Sequence, residues 1–170
     1  MAPVPNGFNP DGVLTLDLAP NLSKYPWDMP RREAYFQELL VRFQALPGIQ
    51  SAGLTSFLPL AQASLIAAFQ VEVRPPVDPG KMPYVYLNHV SQECFRTIGM
   101  QVRAGRPFSA QDGPNSQRVE IINETMAWRF FANECPIDRR LFLPLERKDP
   151  KMHEGRSAAS ASPGARMNCH

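Results

Sequence analysis

Val13 to Leu18 alternates, with Leu14, Leu16 and Leu18 pointing one way and Val13, Thr15 and Asp17 the other. A period of two predicts a half-buried strand. After a loop, Asp28 is placed to cap a helix that carries Pro30 in its first turn. Tyr35, Phe36, Leu39, Leu40, Phe43 and Leu46 then recur at helical spacing and form one broad apolar face, with Arg31, Arg32, Glu38 and Arg42 largely elsewhere on the wheel. Pro47-Gly48 ends the helix, the glycine suiting a left-handed cap.

Ile49 to Phe57 is a second strand candidate, weakened by Gly53 and closed by Pro59. A third strand, Phe69 to Val73, sets Phe69, Val71 and Val73 against Gln70, Glu72 and Arg74, and Pro75, Pro76, Pro79 and Gly80 form an extended turn region. Tyr84 to Val90 predicts a fourth strand, with Val85 and Leu87 opposite Tyr84 and Tyr86. Ser91 is read as the cap of a short helix carrying Phe95 and Ile98, which Gly99 stops. Val102 and Phe108 flank a turn over Arg103 to Pro107. Arg118 to Ile122 predicts a fifth strand, and Asn123 caps a helix through Phe131. Strand, helix, three strands, short helix, strand, helix is the pattern of an α+β fold with a mixed sheet. After Phe142 the periodicity is lost. Residues 143–170 turn Lys/Arg/Pro-rich and then Ser/Ala/Gly-rich, which predicts a disordered tail.

Composition narrows this picture. Eighteen prolines in 170 residues exclude a long-helix bundle or coiled coil, while 44% apolar and 20% charged residues allow a modest core. The apolar-leaning stretch Phe57 to Phe69 is interrupted by Pro59, Gln62 and Ser64, and it falls short of the roughly 20 residues of a membrane-spanning helix. No signal segment opens the chain, so a soluble polypeptide is expected. The net charge of +2 belongs to the tail: residues 1–138 hold 11 basic against 13 acidic residues, and 139–156 hold six against three. No nucleic-acid partner is expected from that distribution.

Candidate chemistry is sparse. Cys94, Cys135 and Cys169 lie far apart, which suggests neither a disulfide framework nor a zinc site. His89, His153 and His170 make no local metal spacing, and His89 reads as a hydrogen-bonded sheet histidine. Asp11, Asp17, Glu72, Asp112 and Glu120 are scattered carboxylates that solvated strand faces largely explain. Asn21-Leu22-Ser23 and Asn123-Glu124-Thr125 are N-x-[ST] triplets, the second more simply a helix cap. Tyr84, Tyr86, Phe95, Phe108, Trp128, Phe130 and Phe131 read as core and sheet packing, and Trp27 as an exposed contact. Cys94 is expected to be buried rather than reactive. No catalytic, cofactor-binding or metal-ligating residue is assigned.

One ordered succession of short segments carries more information than any single motif. It runs Gly7-Phe8-Asn9-Pro10-Asp11, Val13-Leu14-Thr15-Leu16, Arg32 to Leu46 with Pro47-Gly48, and Ser51-Ala52-Gly53-Leu54-Thr55 with Leu58-Pro59-Leu60. Phe69-Gln70-Val71-Glu72, Val90-Ser91, Phe95-Arg96-Thr97-Ile98-Gly99, and Gly105-Arg106 with Phe108 and Asp112 follow. Ile121-Ile122-Asn123-Glu124, Arg129-Phe130-Phe131 and Pro136-Ile137 complete it. Over residues 7–142 this resembles the extracytoplasmic core domain of MacB-type ABC-transporter permeases, and in particular the duplicated permeases abundant in acidobacteria. Val73 and Asp138 stand where the family usually has glycine, and Cys94 where an aromatic is usual.

The resemblance implies a partial periplasmic core domain over 1–142, with a porter-like strand-helix-strand lobe (13–58) and a smaller strand-rich lobe (66–142), and a tail at 143–170 that could be read out of frame. It implies a non-catalytic domain outside the membrane that passes conformational change to exported substrates or periplasmic partners. Transmembrane helices, an ATPase subunit and an adaptor protein would be its partners, with no cofactor of its own. Lacking closing strands, the fragment is expected to leave edge groups unpaired and to be marginally stable. A small α+β hydrolase using the scattered carboxylates, and a truncated remnant without function, are the alternative readings.

Overall fold

A computed structural model describes residues 7–18, 29–61, 65–72, 78, 81–113, 116–131, 134–143 and 153–161, without the side chains of 29, 30, 32 and 153–161. Trp27, the Asp28 cap, the Asn21 triplet, Val73, the Pro75–Gly80 turn apart from Asp78, Cys169, His170, and the tail at 144–152 and 162–170 lie outside these residues. Helix α1 spans Met29–Gln44. Its end is the one the sequence announces: Gly48 takes a φ of +84°, where a side chain would be strained. The apolar face of α1 buries only Leu40, and Val41 (64%) and Leu46 (50%) stay exposed.

Strands β1 (Leu65–Ala68) and β3 (Tyr84–Leu87) pair antiparallel, Ile66 opposite Tyr86 and Ala68 opposite Tyr84. Between β1 and β2 (Gln70–Val71) lies Phe69, whose N–H donates to the Pro83 carbonyl. Ala67, Phe69 and Val71 all face inward, as the alternation predicts. Helix α2 (Cys94–Thr97) is followed by Gly99 at a φ of +66°. Strands β4 (Val102–Gly105) and β5 (Val119–Asn123), helix α3 (Glu124–Phe131), and strands β6 (Arg140–Leu143) and β7 (His153–Ala161) complete the order. The Met126 N–H donates to Asn123 Oδ1 over 2.8 Å, so Asn123 is the α3 cap the sequence predicts.

The larger sheet has five strands built around β7. One edge of β7 pairs in parallel with β5, and the other pairs antiparallel with β6 over its first half and β4 over its second. The sheet is therefore mixed and the fold α+β. Its core gathers Ala67, Phe69, Val71, Ile122, Ala127, Phe131, Leu141 and Leu143, with Val85, Leu87, Met126 and Phe130 packed against it. Phe69 meets Phe130 edge to face, ring centroids 4.7 Å apart.

Several expectations change. Val13–Leu18 joins no sheet among the described residues, and Leu14, Leu16 and Leu18 are exposed by 79%, 61% and 38%. Alternation supplies a face, but a strand also needs a backbone partner. The Ile49–Phe57 candidate reduces to a bridge between Thr55 and Val90. Val102–Gly105 forms β4, overlapping the turn expected over Arg103 to Pro107, because β7 offers these residues a ladder. Ser91 does not cap α2 with its side chain, because its Oγ accepts the Leu54 N–H instead. Tyr84 (65%), Tyr86 (78%) and Trp128 (51%) face outward rather than into a core.

The largest correction concerns the tail. Leu143 is buried in the core and residues 153–161 are the central strand. The segment His-Glu-Gly-Arg-Ser-Ala-Ala-Ser-Ala has no apolar period for a sequence argument to find. Backbone pairing on both edges holds it instead.

Candidate functional site

The motif residues of the first half of the chain converge on one junction around α2. The Asn9 N–H donates to the Ile98 carbonyl over 2.8 Å, and a Cβ on Gly99 would come within 3.1 Å of Asn9 Cβ. Opposite, the Ser56 and Ser91 N–H groups donate to the His89 and Leu54 carbonyls, both over 2.9 Å. Asn88 extends this pairing with its side chain, accepting the Phe57 N–H over 3.1 Å and donating to the Phe57 carbonyl over 2.8 Å. Phe95 of α2 stacks on Phe108 with centroids 6.0 Å apart.

Gly53 explains itself here. A Cβ at this position would lie 2.6 Å from Cys94 Cα and 2.9 Å from its backbone nitrogen, so only glycine lets the two backbones touch. Gly53→Ala is expected to cost about 1–3 kcal/mol through overpacking against backbone that cannot swing away, measured as a lowered urea midpoint. An unchanged midpoint would show the contact to be slack. Cys94 itself is buried and free, and burial pushes its thiol pKa up, away from reactivity.

The loop after β4 closes on a clasp. Arg106 donates through both terminal nitrogens to the two Asp112 oxygens, 2.6 Å each, and the Ser109 N–H adds a third bond of 2.7 Å. The Arg106 hydrogen bonds, helped by Ser109, hold the Asp112 carboxyl well below the usual carboxylate range despite its burial. A depressed folded pKa stabilises the protein fully above the unfolded value near 4, and that stability is lost as pH falls below about 4. Asp112→Asn is expected to cost about 1–2 kcal/mol near neutral pH, allowing for a half-exposed Arg106. It should also flatten the fall in melting temperature between about pH 5 and pH 2.5; parallel acid curves for the two proteins would contradict the clasp.

Other ionisable groups do not converge. Glu72 pairs with Arg140 at 3.2 Å, Glu38 with Arg42 at 2.6 Å and Glu134 with Arg139 at 3.4 Å. Asp112, expected from sequence to be solvated, is clasped instead, and Glu120 is partly buried, which raises its pKa against the pull of Arg118. Asp11 and Asp17 are exposed, and His89 lies beyond the end of β3, exposed. Glu124 is buried at the start of α3 with Oε1 unpartnered. Among the described residues no three His, Cys, Asp or Glu gather as a metal site would need. Asp138 takes a φ of +60°, a left-handed position that explains why glycine suits it.

Beside the junction, α1 and the turn into α2 enclose a cleft of about 420 Å³ lined by Gln37, Gln44, Gln50 and Gln92 with Glu93 and Arg96. Amide side chains both donate and accept, and Arg96 is held by Glu93. Leu40, Val41 and Ser91 complete the lining, the Ser91 Oγ accepting the Leu54 N–H over 2.8 Å, so the cleft presents a mixed apolar and amide surface. Sequence reasoning misses the cleft because its residues come from segments some fifty positions apart, between Gln37 and Arg96.

Cys135, which the sequence spacing leaves unpaired, is disulfide-bonded. None of the described helices is long and apolar enough to cross a membrane. No protein-family model matches the chain, and no curated protein does. A solved structure does: the periplasmic region of MacB from Actinobacillus actinomycetemcomitans matches with a TM-score of 0.53 at 18% identity, over 75% of this chain and 50% of that one. The chain thus spans half the length of that structure. At such identity what the two share is architecture, and the α+β fold of this chain is similar to that of the MacB periplasmic region.

Proposed function

We propose that this chain is a non-catalytic, extracytoplasmic interaction domain of a MacB-like ABC-transporter permease, of the acidobacterial duplicated type. The fold likeness over three-quarters of the chain carries the reading. Residues 1–142 correspond to the partial core domain, and β7 extends its sheet. In full-length relatives transmembrane helices anchor such a domain, and an ATPase subunit on the other side of the membrane drives it in export or efflux. A periplasmic adaptor or the exported substrate receives the motion.

Two features support a mechanical role. The motif residues are engaged in packing 7–57 against 88–112 through backbone contacts, which suits a body displaced as a unit. The Cys135 disulfide suits an oxidising compartment. The test is a reporter pair joined in frame to the gene at its native chromosomal locus. An alkaline phosphatase fusion, active only outside the cytoplasm, is expected to give activity, and a β-galactosidase fusion none. The reverse pattern would overturn the assignment.

A further inference from the structure

We draw no further inference here: the strongest candidate, the outward face of the β1–β3 pair where Ile66, Tyr84 and Tyr86 stand exposed, carries nothing because nothing in the structure shows what covers it.

Discussion

Ala159→Pro is expected to lower stability by about 3 kcal/mol or more, roughly a 10 °C fall in melting temperature for a chain this size. Ala159 lies in β7, paired with Ile121 on one edge and Gly105 on the other. Proline lacks the N–H a ladder needs and is confined to sheet edges or bulges. Because β7 lies between β5 on one side and β6 with β4 on the other, the damage should spread through the sheet rather than stay local. Ala159→Ser keeps the N–H and is expected to stay within about 1 kcal/mol of the unsubstituted chain. Thermal melts of the three proteins decide the matter. If Ala159→Pro melts with the parent, residues 153–161 form no strand and the compositional expectation of a loose tail stands.

Phe69→Ala carries the second large effect, an expected loss of about 3–5 kcal/mol by urea unfolding. Phe69 is 1% exposed and fills the place where β1 gives way to β2. Truncation leaves a cavity lined by a core that cannot collapse into it, and it removes the edge-to-face contact with Phe130. Native stabilities of about 5–15 kcal/mol make this a large share of the total. A double-mutant cycle with Phe130→Leu should return a coupling of about 0.5–1.5 kcal/mol. A loss below about 1 kcal/mol for Phe69→Ala would mean that the core is not where Phe69 lies.

The segments legible in the amino-acid sequence are those whose information is local. Helix α1 is visible in its spacing and in Gly48, and helix α3 in Asn123, because caps and amphipathic faces depend on residues within two turns. The inward set Phe69 and Val71 and the opposite-facing set Tyr84 and Tyr86 follow from alternation alone. Alternation does not say whether a second face will be covered, and so the two tyrosines read as packing residues. The Arg106–Asp112 clasp spans only six positions, yet it is hidden because an Arg and an Asp at that spacing are ordinary until a turn folds them together. Glu72 and Arg140 lie 68 positions apart, beyond any local signal.

Residue order alone was enough for the α+β class, the inward faces of the core strands, the two longer helices with the Gly48 end of the first and the Asn123 cap of the second, and the lack of a local catalytic motif. All of these arise from side-chain period and short-range geometry. Tertiary structure alone decided which extended segments became strands. Val13–Leu18 has the better pattern and pairs with no described residue, while 153–161 has almost no pattern and holds the sheet together. A strand is completed by hydrogen bonds to another stretch of chain, and the position of that other stretch is a property of the whole fold.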